Sequence, residues 1–353
     1  MTLTSRGQGA RPRDRYLPAR RNGDRMRRFL ATVPVLLVVL LAFASAATAQ
    51  AVRRVAHVGM LCLSSCAPAP ITNALSDELR KLGWLEGTTI VIDRKEAGGR
   101  FDRLPALAAD LVRSKPDLIV AFTPQPVRAV KEATSEIPIV MIFVADPLGL
   151  GLASSLAHPD GNLTGVATLA GGDFVGKALG IIRELLPQAK RLAALINSTN
   201  ENHRLVFMKD APVAALKLGF QLDVIEVRKA EEVPGAITTA KAGGAEALYI
   251  AGDSILDSPS SQVSELAVQA GLPPIYLAGA QESGGLISYG PEYPALARRG
   301  AHYIDRILKG AKPAELPIEQ PTKFLLTINL KTAKSLGIEV PPSLLARADE
   351  VIE

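Results

Sequence analysis

From residue 55 onward, short unbroken apolar runs alternate with longer stretches whose apolar residues recur at three- and four-residue steps. VAHVGML (55–61) precedes residues 71–82, where Ile71, Leu75, Leu79 and Leu82 share one helical face. TIVIDRKEA (89–97) precedes residues 101–113, with Phe101, Leu104, Leu107 and Leu111 in the same relation. DLIVAF, PIVMIFV and a Gly-rich loop continue the rhythm. Continuous apolar strands separated by amphipathic helices predict βαβ units and a parallel sheet covered by helices.

The pattern breaks at GNLTGVATLAGGDF (161–174) and then restarts. KRLAALIN, FQLDVIEV and AEALYIA read as strands, residues 203–218 as a helix, and the stretch from Ser260, with Val263, Leu266, Ala267 and Ala270, as another before PPIYLAG. The expected fold class is therefore α/β: two Rossmann-like domains with parallel sheets, a ligand cleft between them, and a hinge formed by several crossover segments. The expected boundaries are 50–167 plus 290–320 for the first domain and 168–289 plus 321–353 for the second. Hinges are expected near residue 168 and in the Gly-rich GGLISYG segment near residue 288.

Residues 1–49 do not fit this rhythm. Nine Arg and two Asp precede an uncharged run, Phe29–Ala49, that ends in Ala47-Thr48-Ala49. A basic region, an apolar region and a small-residue end predict a secretory signal peptide cleaved before Gln50, with an uncleaved membrane anchor as the alternative. Met26, followed by RRFL, offers a second start for the same leader, and either start predicts export to the periplasm.

Setting the leader aside changes the charge. Nine of the 40 Lys and Arg and two of the 35 Asp and Glu belong to it, leaving 31 against 33 and a formal charge of −2. The basic balance thus resides in the targeting segment, and a nucleic-acid partner is not expected. Cys62 and Cys66 sit four apart after the first strand; in an exported protein they either form a disulfide or stay as inert thiols.

Ligands of open parallel sheets bind beyond the carboxyl ends of the strands. That rule directs attention to residues 61–70, 122–127, 145–151, 197–202 and 252–258. The candidate ligand-binding residues there are Ser64, Ser65, Thr123, Gln125, Asp146, Asn197, Asp253 and Ser254. Ser and Thr at helix starts suit a ligand carboxylate, and they equally suit helix capping. Asp253, just past Tyr249-Ile250-Ala251, suits a ligand ammonium or a local cap. Asp146 precedes Pro147, where a turn competes with ligand contact, and Trp84 is expected to pack at a helix end. The four His lack metal-ligand spacing and are expected to be structural or exposed. G-x-S-x-G, H-E-x-x-H and the phosphate loop are absent from the sequence, and no catalytic residue, metal or cofactor is predicted.

Several longer blocks resemble a known family. These are LRKLGWLEGTTIVIDRKEAGG, RLPALAADLVRSKPDLIVA, ATSEIPIVMIFVADPLGLGLASSLAHPDGNLTGV, GGLISYG and the C-terminal AHYIDRILKGAKPAELPIEQPTKFLLTINLKTAKSLGIEVPPSLLARADEVIE. They are similar to substrate-binding proteins of ABC transporters in the tryptophan/tyrosine, or aromatic amino acid, uptake group, with periplasmic binding protein type 1 architecture. AHPDGN, with Asp160, departs from the ARPGGN loop of that family. The resemblance implies an exported two-domain binding protein that captures a small organic solute, foremost an amino acid, for an ABC permease and its ATPase; a monomer is expected. A ligand-sensing subunit for a membrane receptor is the alternative, and an exported enzyme using cleft carboxylates is a further one.

Overall fold

The computed structural model describes residues 54–66, 70–159, 161–169, 174–253, 255–256, 260–276 and 284–353, and Val55–Glu353 forms one compact unit. The leader lies outside the described residues.

The first sheet has five parallel strands: β1 (Ala56–Cys62), β2 (Ile90–Glu96), β3 (Leu118–Phe122), β4 (Ile139–Val144) and β5 (Leu163–Ala167), in the order β2-β1-β3-β4-β5. Helices α1 (Pro70–Lys81), α2 (Leu104–Arg113) and α3 (Pro124–Ala133) alternate with them. Every residue of β3 is buried, which explains its unbroken apolar run. Strand β2 is an edge strand and carries Asp93, Arg94 and Lys95 on its partly exposed positions.

The second sheet has seven strands in the order β12-β11-β10-β9-β8-β6-β7. They are β6 (Arg191–Asn197), β7 (Gln221–Val227), β8 (Ala247–Ile250), β9 (Pro274–Tyr276), β10 (Ile287–Pro291), β11 (Phe324–Asn329) and β12 (Glu350–Ile352). Its helices are α4 (Phe174–Leu185), α5 (Met208–Lys217), α6 (Val233–Ala242) and α7 (Ser260–Gln269). Only β10 and β11 pair antiparallel among the described strands, because the chain makes an excursion between them.

That excursion is α8 (Tyr293–Leu308), which packs against α1 and the first sheet. Its Leu296, Ala297, Ala301 and Ile304 complete a core with Leu118, Val140 and Ile142. Gly300 lets the helix approach β4 closely: a Cβ there would stand 2.5 Å from Ile142 Cδ1. A strap at 313–319 follows, tied to the first lobe where Thr164 Oγ1 donates to Leu316 O at 2.6 Å and Ala167 N–H to Glu319 O at 2.8 Å. The short helices α9 (Leu330–Ser335) and α10 (Pro342–Leu345) close the second lobe.

Two sequence expectations change in detail. GGLISYG, read as a crossing, contains most of β10, and the passage comes just after that strand, at Glu292. The helix read over 203–218 begins as a π-helical segment, Asn202–Phe207, before α5.

Candidate functional site

In each sheet the first strand has its successor on one side and the third strand of the unit on the other. β1 lies between β2 and β3, and β6 between β7 and β8. Such switch points open a crevice at the carboxyl ends of the two diverging strands. The loops concerned are 63–66 and 123–125 in the first lobe, and 197–203 and 251–256 in the second.

In the first lobe, Thr123 heads α3 with φ +67° and ψ 164°, backbone angles that belong almost exclusively to glycine. Its Oγ1 is buried without a hydrogen-bond partner in the structure, and its side chain does not cap the helix. Pro124 and Pro126 carry no N–H, so Gln125 N–H remains as a donor of the helix mouth. Phe143, near the end of β4, also has φ +66° and packs edge-on against Tyr293 with ring centroids 5.1 Å apart.

In the second lobe the polar groups are engaged with one another. Asp253 is buried; its Oδ1 accepts from Asn197 Nδ2 at 3.0 Å and Ile255 N–H at 2.8 Å, and its Oδ2 from Asn200 Nδ2 at 2.7 Å. Asn197 Oδ1 accepts from both the N–H and the hydroxyl of Thr199. His203 Nδ1 accepts from Asn197 N–H at 3.0 Å, which leaves Nε2 to donate to Gly252 O at 3.1 Å. Burial lowers the pKa of this imidazole, with Asp253 opposing, and both hydrogen bonds suit the neutral ring.

The lobes meet across the crevices. Gln125 Nε2 donates to Thr199 O at 2.9 Å, Ala145 N–H to Asn202 Oδ1 at 3.1 Å, and Arg128 Nη2 to Glu201 Oε2 at 2.9 Å. Between them lies a cavity of about 60 Å³ lined by Ala145, Thr168, Phe174, Asn202, His203, Phe207 and Tyr293, among others. A larger hollow of about 370 Å³, lined by Ser198, Arg204, Met208 and Arg228 among others, opens on the second lobe alone; no first-lobe residue lines it, so it is not the cleft.

The structure thus brings Thr123, Gln125, Asn197 and Asp253 to the facing switch points. Asp146 stands beside Ala145, but its Oδ1 accepts from Gly149 N–H at 2.9 Å and closes a turn. Ser65 Oγ donates to Glu96 on β2 at 3.1 Å, as does Cys66 N–H at 2.7 Å, so this loop is ordered against its own sheet. Cys62 and Cys66 form a disulfide with a Cα–Cα separation of 5.7 Å, and Ser64 is half-buried beside it. Ser254 lies outside the described residues. Trp84 is packed in the first core, with Nε1–H donating to Asp305 at 2.9 Å. The sequence reading pointed to the 197–202 loop without singling out Asn200, Glu201 or Asn202 in it, and it missed Arg128. The polar run NSTNENH directly after a buried strand was the available signal.

Among known proteins, residues 61–352 match the family model for ABC transporter substrate binding proteins. A tyrosine-binding protein of Clostridioides difficile is 28% identical over 262 residues, 74% of each chain. The structure aligns with an ABC domain in complex with L-Trp from Streptococcus pneumonia at TM-score 0.77 and 27% identity, covering 84% of this chain and 99% of that one. It aligns with a ligand-free, open substrate binding protein with adhesive properties from Clostridium difficile at TM-score 0.60 and 26% identity, with coverages of 84% and 99%. With two switch-point crevices facing each other across a bridged cleft and the family match spanning both lobes, the chain belongs to the ABC transporter substrate-binding proteins, an extracytoplasmic binding family rather than an enzyme family.

Proposed function

We propose that this protein captures an amino acid, foremost one with an aromatic side chain, in the cleft between its lobes and delivers it to an ABC permease with its ATPase. Thr123 carries the reading. A β-branched residue held at φ +67° with a buried, unpartnered hydroxyl represents strain and desolvation that a ligand can repay. The Thr123 hydroxyl and Gln125 N–H are donors suited to the ligand carboxylate. Asp253, with Asn197 beside it, supplies the negative charge for the ammonium end. Phe174, Phe207 and Tyr293 in the cavity wall suit an apolar ring, in keeping with the tyrosine and tryptophan named for the relatives. The cavity as bridged has room for a few waters, so a ring enters when the lobes part.

The same reading takes residues 1–49 as the signal peptide, the periplasm as the compartment and a monomer as the working form. It divides the mature chain into 50–167 plus 290–320 and 168–289 plus 321–353. Titration calorimetry across amino acids, purines, short peptides and aromatic acids tests it. Saturable binding of an aromatic amino acid, weakened about 10-fold by Thr123→Val, is expected. Tight binding of a non-amino ligand with failure of every amino acid overturns it.

A further inference from the structure

Among the bonds that cross the cleft between described residues, one joins charged side chains that lie outside the cavity wall. Arg128 is on α3, and its Nη2 donates to Leu150 O of its own lobe at 2.9 Å before reaching Glu201 of the other lobe, also at 2.9 Å. The guanidinium is therefore aimed by the first lobe and paired by the second. Glu201 is the more sheltered partner, with its side chain 17% exposed against 35% for Arg128. A pair this sheltered is screened less than a surface pair.

Glu201 sits between two anchored neighbours. Asn200 binds Asp253, and its Oδ1 also accepts from Asn202 N–H at 2.9 Å; Asn202 in turn reaches Ala145 N–H across the cleft. The 197–203 loop is thus held rigid from within its own lobe and presents Thr199 O, Glu201 and Asn202 Oδ1 in one row toward Gln125, Arg128 and Ala145. The geometry points to an electrostatic clasp: we propose that Arg128 and Glu201 stabilise the closed arrangement without contacting the ligand, and so set affinity by a common factor for every ligand. The structure aligns better with the tryptophan-bound relative than with the open, ligand-free one, at nearly equal identity.

The inference rests on two lobes closing and does not depend on which solute they hold. Its test is accordingly made first without ligand, by small-angle scattering of the parent, Arg128→Gln, Glu201→Gln and the charge-exchanged Arg128→Glu/Glu201→Arg protein. The parent is expected to be more compact at low salt and to expand toward the dimensions of the single variants at about 1 M salt, where charges are screened within about 3 Å. The exchanged pair is expected to recover most of the compaction. With any ligand found by the calorimetric screen, each single variant should weaken binding about 3- to 10-fold, equally across ligands, and the exchange should restore it. Identical scattering of parent and single variants at low and high salt overturns the clasp, as does a loss that differs from ligand to ligand. If no amino acid binds, the ligand-free scattering still decides the clasp, and the two readings fail separately.

Discussion

The two edges of the cleft solve opposite problems. On the second lobe, Asp253, Asn197, Asn200 and His203 satisfy one another, so the edge is complete before anything arrives. On the first lobe, Thr123 keeps an unpartnered hydroxyl on a strained backbone, and its helix mouth is thinned of donors by two prolines. A finished edge can act as a template, and an unfinished edge can respond. Under the proposed binding role, the first lobe offers polar groups still to be met, while the second holds Asp253 in a preformed frame for the ammonium end.

The sharpest way to break this contrast is Asp253→Ala. Removing the carboxylate strands donors of Asn197, Asn200 and Ile255 in a buried place, and a loss of about 3 kcal/mol in urea unfolding is expected. A loss under about 1 kcal/mol would show that the second edge is not the preformed one.

Thr123→Gly probes the other edge and is expected to act in the opposite direction. It frees the backbone from a glycine-like conformation and deletes the unpartnered hydroxyl, so stability should rise by about 1 kcal/mol while ligand affinity falls. Stability and affinity falling together would mean that Thr123 is simply structural.

The smallest effect concerns pH. Burial holds the folded pKa of His203 below the 6.5 of a free imidazole, so the unfolded chain takes up a proton that the folded ring refuses. Its stabilising contribution is complete above about pH 6.5 and is lost as pH falls below that value. Melting temperatures at pH 7.5 and 5.5 should therefore differ more for the parent than for His203→Gln, and equal differences would remove His203 from the preformed set.

Much of the architecture was legible because buried parallel strands leave an unmistakable mark: LIVAF and IVMIFV have no polar face to hide. The strand-end loops were legible for a related reason, since the crevice position follows from topology alone. What escaped was how the polar residues in those loops divide their bonds. Nothing in the spacing of Asp253 tells that three amides of its own lobe claim its oxygens, because Asn197 and Asn200 lie more than fifty residues away in sequence. Glu201 and Arg128 were equally silent, their pairing depending on two loops from different lobes. The strain at Thr123 was hidden too, since the sequence places a non-glycine residue at a position whose backbone suits glycine.

The excursion of α8 has a consequence for the order in which the protein is made. Strand β5 ends at Ala167, yet the helix that covers one face of the first sheet begins at Tyr293, about 125 residues later. At a synthesis rate of about 5–20 residues per second, Leu118, Val140 and Ile142 spend roughly 6–25 s without their covering helix. The first half of the chain cannot finish folding before the second half is nearly complete, so the first sheet's core is closed by residues made last.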